Sequence, residues 1–362
     1  MVDWKNPAKL FIPGPVHVVP EVLEQLSRYT LGHRAKEYSQ LHGETVAMLK
    51  KILFTEQNVF LVTSSGSGGW EASMRNLLKD DEKILCCGCG AFSDKYAEVG
   101  KSCGKQVEDF RIEWGKAFTA DMIDKKLAEG KYAAVAFVYN ETSTGVTNPV
   151  YEISAMLKKK YPNMLVFVDC VSGMAGLPIE FDKLGWDFAF ASVQKAFAIP
   201  PGLAIFAVSN RALAKCKEVK NRGYYFDLIE FAKNGEKNQT PTTPAIPQIM
   251  ALHFQCQKML SEGIENVWAR HKAMADFVRG WTKKNFGLFA DEKYASNTLT
   301  TVKNTRNVDI AAIIKAVKEK HGLEFGDGYG DLKQKTFRIA HMGDMTIADL
   351  KELLDYIDAE LK

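Results

Sequence analysis

Six short, almost uninterrupted apolar runs punctuate the first two thirds of the chain: NVFLVT at 58–63, KILCCGC at 83–89, AAVAFVY at 133–139, LVFVDCV at 165–171, FAFASV at 188–193 and LAIFAVS at 203–209. A strand that is apolar on both faces has to be covered on both faces, and the architecture that does this is a mostly parallel sheet between helices. Helical periodicity fills the gaps, at Trp70 to Lys79, Ala120 to Ala128 and Tyr151 to Lys160. These elements define an α/β large domain expected over residues 15–250.

Near residue 245 the rhythm changes. Ile264, Val267, Trp268, His271, Met274, Phe277, Val278 and Trp281 repeat at three-to-four spacing, as one face of a long helical tract. A strand-like run TLTTVKN follows at 298–304, then a helix near Asp309 to Lys320, the run KTFRIAHM at 335–342 and a closing helix. That last helix opens on Thr346 and Asp349 in capping-box spacing, with Ile347, Leu350, Leu353, Leu354, Ile357 and Leu361 as its expected core stripe. Residues 251–362 are expected to form a smaller α+β domain, with the segment 1–14 packed near the cleft.

Composition narrows the function classes. Of 362 residues, 46% are hydrophobic and 25% charged, which excludes a disordered chain, and a net charge of +3 gives no general affinity for nucleic acid. The cysteines are Cys86, Cys87, Cys89, Cys103, Cys170, Cys216 and Cys256, an odd number without disulfide or zinc spacing, and most lie in apolar runs. No run approaches the roughly 18 apolar residues of a membrane span, and the first residues carry Asp3 and Lys5 rather than an apolar leader. A cytoplasmic protein with no metal site, no nucleic-acid partner and no membrane contact is the expectation.

Three stretches carry chemistry. After the first apolar run, Ser64, Ser65, Gly66, Ser67, Gly68 and Gly69 lead into a helix, so backbone N–H groups at the positive end of its dipole can cup a phosphate. Taken alone, this stretch reads equally as a plain turn of small residues. Asp169 ends the run LVFVD, where open α/β sheets place ligand groups, although a lone Asp there also suits a cap or an ion pair. Lys195 sits in FAFASVQKAFAIPPGLAIF, with no other charged residue before Arg211, a setting that desolvates the amine and lowers its pKa. Together the three describe a ligand with a phosphate, a carbonyl for the amine and a cationic nitrogen for the carboxylate. Pyridoxal phosphate has all three.

The sequence as a whole resembles the class V aminotransferases of fold type I, in particular the alanine/serine–glyoxylate (serine–pyruvate) branch. The resemblance rests on FIPGPV near residue 12, LGHRAKEY at 31–38, TSSGSGGWEA at 63–72, NETSTGVTNP at 140–149, VDCVSG at 168–173, SVQKA and PPGLA at 192–204, QTPTTP at 239–244 and KTFRIAHMGD at 335–344. It implies a fold type I large domain with a mostly parallel seven-stranded sheet flanked by helices. It also implies a ping-pong transamination between a small L-amino acid, alanine or serine, and a 2-oxo acid such as glyoxylate or pyruvate.

The same resemblance assigns roles. Lys195 is the implied Schiff-base lysine and Asp169 the partner of the pyridine nitrogen, with Ser65, Gly66, Ser67 and Gln194 around the phosphate. Thr142 is implied to bond the ring hydroxyl, Phe92 to stack on the ring, and Arg338 to fork onto the substrate carboxylate, with Gly14 beside it. Family members are homodimers, and Thr240 matches the position that reaches the neighbouring subunit's phosphate. Lys237 or Asn238 stands where a tyrosine is frequent. His33 and Arg34 suit either a second acidic group on a substrate or a local cap, and the first option leaves phosphoserine:2-oxoglutarate aminotransfer as an alternative. A lyase such as a cysteine desulfurase needs a mobile cysteine, and none follows Cys256. A cofactor-binding homologue without activity is the remaining alternative, against which Lys195, Asp169 and Arg338 stand together. Cys86, Cys87 and Cys89 read as core packing, Cys170 as apolar filler and His271 as a structural histidine, while His341 and Met342 are candidates to line the cleft.

Overall fold

The computed structural model describes residues 7–362, so the part of the expected N-terminal segment before residue 7 lies outside the described residues. Fourteen strands are described: β1 Lys9–Phe11, β2 Asn58–Val62, β3 Lys83–Gly88, β4 Gln106–Arg111, β5 Ala134–Val138, β6 Asn140–Glu141, β7 Val146–Thr147, β8 Leu165–Asp169, β9 Phe188–Ser192, β10 Ala204–Val208, β11 Gly287–Leu288, β12 Leu299–Lys303, β13 Leu323–Asp327 and β14 Thr336–Ala340. Seven of them form one sheet in the order β2-β10-β9-β8-β5-β3-β4. Every neighbouring pair is parallel except the two that β10 makes. Because β10 runs against both β2 and β9, β2 points the same way as β8 and β9, and their C-terminal ends share one edge.

All six apolar runs are strands of this sheet, and β5, β8, β9 and β10 are buried along their whole length. The seventh strand, β4, has the sequence QVEDFR and is half-exposed. It was not among the apolar runs because an edge strand, paired on one side, has no need of continuous apolar residues. Two apolar layers result. Cys87, Val135, Val166 and Ile205 pack on one face, while Cys86, Ala136, Phe167 and Phe206 pack on the other. Alternation along a strand therefore sends adjacent Cys86 and Cys87 to opposite layers as free, buried thiols.

The second sheet is β1-β13-β14-β12-β11. Strands β12 and β14 lie within the runs TLTTVKN and KTFRIAHM. Strands β1 and β13 were not expected, and their parallel pairing ties Lys9–Phe11 to the C-terminal part of the chain. The expected single helical tract is two helices, Ile246–Glu262 and Ile264–Asn285, broken at Gly263, whose φ of 88° favours glycine. Ile246–Glu262 packs on the helices Pro20–Leu26 and Lys36–Leu53, whereas Ile264–Asn285 packs on β11, β12 and the helix Ile347–Glu360. In that last helix Thr346 and Asp349 form the expected capping box. Leu350, Leu353, Leu354 and Ile357 are buried, but Ile347 is 44% exposed and Leu361 only packs against the cluster, so the stripe is shorter than expected at both ends. Among the described residues no helix is long and apolar enough to cross a membrane, and no cluster of metal-ligating side chains is present.

The glycine-rich stretch enters its helix three residues earlier than the periodicity suggested, with Ser67–Leu77 helical. Gly69 lies against the face of Phe190, whose ring is itself fixed by Tyr96, Phe188 and Phe206. A methyl there has nowhere to go. Gly69→Ala is expected to lose about 1–2 kcal/mol of stability despite alanine's better helix propensity, because overpacking of a rigid site costs roughly 1–3 kcal/mol. Urea unfolding of the two proteins measures this.

Candidate active site

Strand ends place the central groups. Asp169 is the last residue of β8 and Lys195 lies three residues beyond the end of β9, so adjacent parallel strands deliver both to the shared C-terminal edge. The turn after β2 delivers Ser65, Gly66 and Ser67 to the same edge. Ser65 and Ser67 are exposed and Gly66 is buried. A side chain at Gly66 would come within 2.6 Å of Val171, so the bare backbone there is sterically required.

Asp169 is 2% exposed. Its Oδ2 accepts a hydrogen bond from Trp70 Nε1 at 2.7 Å and its Oδ1 one from the Val171 N–H at 2.8 Å. Both donors stabilise the ionised form, yet burial outweighs them and raises the pKa to about 7. This carboxyl is held in place without a countercharge, and a cation set against it would favour its ionised form.

Lys195 is its counterpart. Burial comes first, and the nearby Arg338 charge second, in lowering the amine's pKa to about 8. Relative to a free lysine at 10.5, the neutral fraction near pH 7 rises by about 300-fold. Among the described residues Nζ has one hydrogen-bond partner, the Pro13 carbonyl. Gly14 is the close approach that permits this, since its φ is 115° and a methyl on it would lie 2.6 Å from Lys195 Cδ. Gln194 is half-buried next to Lys195, and its Oε1 accepts from the Ser192 hydroxyl.

The loop 140–145 adds a second wall. The Thr142 hydroxyl donates to Ser172 Oγ at 2.8 Å, Ser172 donates to the Asn140 carbonyl at 2.7 Å, and Asn140 Nδ2 donates to Thr298 Oγ1 at 3.0 Å. Glu141 is fully buried and accepts from the N–H groups of Phe92, Ser93 and Ser143. Those bonds fix the first turn of the helix Ala91–Ser102, and with it the half-buried Phe92 ring.

Arg338 comes from the other sheet. It sits on β14, donates from Nε to the Asp327 carbonyl at 3.0 Å, and reaches the Thr142 carbonyl at 3.4 Å. The two sheets thus meet across one cleft carrying Asp169, Lys195, Phe92, Thr142 and Arg338.

Other candidates lie elsewhere. Arg34 donates to Gln239 Oε1 at 3.2 Å and to the carbonyls of Thr240 and Pro241 at 2.7 and 3.3 Å, so its guanidinium braces the 239–241 stretch of its own chain. His33 is half-buried on the same turn. Thr240 is buried, and its hydroxyl donates to the Thr242 carbonyl at 2.7 Å. His341 and Met342 are buried: His341 Nε2 is 2.9 Å from Thr300 Oγ1, and burial drives the imidazole down to about 3. His271 is structural, with Nδ1 donating to the Val267 carbonyl at 2.7 Å and Nε2 accepting from the Gly343 N–H at 3.1 Å. Cys170 is fully buried and burial pushes its thiol far up in pKa, which disfavours the thiolate.

Residue-by-residue reading missed Trp70, Asn140, Glu141 and Ser172, which orient the groups above. All four fall inside stretches already singled out, but an indole or amide acting through a buried hydrogen bond has no spacing of its own to betray it.

The profile of the family described as aminotransferase class-V matches residues 10–328. An L-aspartate–glyoxylate aminotransferase of Paracoccus denitrificans is 32% identical, covering 95% of this chain and 88% of that protein. A serine–glyoxylate aminotransferase of Methylorubrum extorquens is 30% identical, covering 95% and 89%. Among solved structures, an alanine–glyoxylate aminotransferase from a Nostoc species superimposes with a TM-score of 0.94 at 25% identity, over 100% of this chain and 98% of that one. With a fold type I architecture and this match along nearly its whole length, the chain belongs to the class V aminotransferase family and is an aminotransferase.

Proposed function

We propose that this enzyme holds pyridoxal phosphate on Lys195 and uses it to move the amino group of alanine or serine to glyoxylate or pyruvate. The observation that carries the reading is the placement of a buried amine, its pKa lowered by burial, and a buried carboxyl on one sheet edge. The residues present fit the cofactor. Asp169 offers an uncompensated carboxyl to a ring nitrogen, the helix start at Ser65 to Ser67 with Gln194 offers N–H and side-chain donors to a phosphate, Thr142 offers a hydroxyl to the ring, and Phe92 offers an aromatic face. When bound, the cofactor supplies a carbonyl that an amine can occupy and a ring that accepts the electrons released with the substrate Cα proton.

The chain's own groups do the rest. Arg338 takes the substrate α-carboxylate in two parallel hydrogen bonds and so fixes the direction of the Cα–H bond. Lys195 Nζ, once freed, removes that proton as a general base and returns it as a general acid, work for which a pKa of about 8 is suited. Trp70 and the Val171 N–H keep Asp169 oriented. Glu141 and Phe92 shield one side from water. The same groups run the reverse half with the second oxo acid, giving ping-pong kinetics.

The relatives' names support glyoxylate as acceptor, with aspartate, serine or alanine as donor. Arg34 is committed to the 239–241 stretch, which leaves the phosphoserine alternative without the cation it needs in this subunit. A panel of alanine, serine, aspartate and phosphoserine against glyoxylate, pyruvate and 2-oxoglutarate tests the assignment. Highest kcat/KM for alanine or serine with glyoxylate or pyruvate is the expected result, and a dominant phosphoserine rate overturns it. Arg338→Gln is expected to raise KM for both substrates by ~100-fold, since two charge-assisted hydrogen bonds are worth about 1.5–3 kcal/mol each before the solvent exchange at an open site is discounted. The absorbance of bound cofactor is expected to be unchanged.

The proposal includes a homodimer in which the Thr240 stretch borders the neighbouring site; Tyr29 and Tyr224, 98% and 87% exposed, are aromatic surface that such an interface can cover. It also includes a large domain over 15–250, a small one over 251–362, and a cytoplasmic location suited to seven free thiols.

A further inference from the structure

Tyr329 belongs to none of the motifs described above, yet it stands where they meet. Its ring lies 5.0 Å from that of Phe92, tilted by 35°. The Arg338 guanidinium is 5.5 Å from its ring centre and the Lys95 ammonium 4.9 Å. Lys95 Nζ also donates to the Tyr329 hydroxyl at 2.5 Å. Phe92 and Lys95 are one turn apart on the helix Ala91–Ser102 beside the large sheet, while Arg338 is on β14 and Tyr329 follows β13 in the other sheet. One aromatic side chain therefore spans the cleft between the ring-stacking residue and the carboxylate-binding residue.

The backbone under Tyr329 is braced. Gly328 lies so close to the Leu332 carbonyl that no side chain fits, and its N–H donates to the Thr336 carbonyl at 2.9 Å. Asp327 accepts the Gln334 N–H at 3.0 Å through Oδ1 and Arg338 Nε at 3.0 Å through its carbonyl, so this loop and the arginine are held by the same residue. A carboxylate resting on Arg338 lies beside the tyrosine ring, whose centre is 5.5 Å from that guanidinium.

We propose that Tyr329, clasped across the cleft by Lys95, is the specificity-determining wall of the substrate side-chain pocket and restricts the amino donor to small side chains. The proposal rests on the transamination reading above and adds the residue that sets substrate size. A ring free to swing yields to a bulky side chain. Bonded to Lys95 and packed on Phe92, it does not.

The test measures kcat/KM for alanine, 2-aminobutyrate and leucine with glyoxylate, using cofactor-loaded wild type, Tyr329→Ala, Tyr329→Phe and Lys95→Met. Tyr329→Ala is expected to shift the alanine-to-leucine ratio by ~10-fold or more toward leucine, the scale on which hydrophobic pockets discriminate added carbons. The other two variants leave the ring but release its clasp, and are expected to shift the ratio in the same direction by less. If all donors lose activity by one common factor in every variant, the proposal is overturned. Should Tyr329→Ala fold poorly, Lys95→Met carries the same ratio test. Should the wild type use neither alanine nor serine, the donor assignment fails, while the ratio between its true donor and a longer homologue still decides the wall.

Discussion

Lys195→Ala is expected to reduce transamination by at least ~10³-fold, because it removes both the amine that anchors the cofactor and the base that moves the Cα proton. General acid–base catalysis alone contributes roughly 10²–10⁴-fold. Reduction of the wild type with borohydride should leave an adduct on position 195 and, in the variant, none, as mass spectrometry reads directly. The lowered pKa sets a sign for the loading step as well. Between pH 6 and 8 the neutral fraction of Lys195 rises about tenfold per unit, then levels off above about 8. The rate at which cofactor-free wild type takes up pyridoxal phosphate should follow that curve, whereas a flat profile removes the neutral amine from the explanation.

Asp169→Asn is expected to lower kcat by roughly 10²–10³-fold with the fold intact. A carboxylate about 4 Å from a ring nitrogen at an effective dielectric of about 20 favours its proton by ~4 kcal/mol. An amide supplies none of that charge, and its NH₂ has no acceptor beside the Trp70 and Val171 donors. The same carboxyl makes stability depend on pH. Its folded pKa of about 7 is above the unfolded 3.8, so the folded state holds a proton that the unfolded state has lost. Its contribution is full below about pH 4 and falls as pH rises through 7, by up to ~4 kcal/mol in the cofactor-free protein. The difference in urea stability between cofactor-free wild type and Asp169→Asn should decline across pH 4–8, because His42, His271 and His341, whose lowered pKa values make stability rise with pH over the acid part of this range, contribute to both proteins alike. A difference that rises with pH would mean that the carboxyl is already compensated without the cofactor.

The sequence by itself determined the central sheet, because strands buried on both faces have to be written as unbroken apolar runs, and 133–139, 165–171, 188–193 and 203–209 are such runs. It also determined the chemical inventory: a turn of glycines and serines leading into a helix, a strand-end carboxylate and a lysine stranded in apolar surroundings. Side-chain type and local hydrophobic pattern suffice for those. Tertiary structure decided the rest. The half-polar strand β4, the pairing of β1 with β13, and the break at Gly263 depend on what lies beside them, which no local pattern records. The hold of Trp70 on Asp169, the commitment of Arg34 to the 239–241 stretch, the burial of His341, and the bridge from Lys95 to Tyr329 join residues 99, 206, 41 and 234 positions apart. Contacts between distant residues form only once the chain folds those segments together, and the last of them only where the two sheets meet. Which groups can take part in the chemistry is thus written locally, and where each one points is settled by packing.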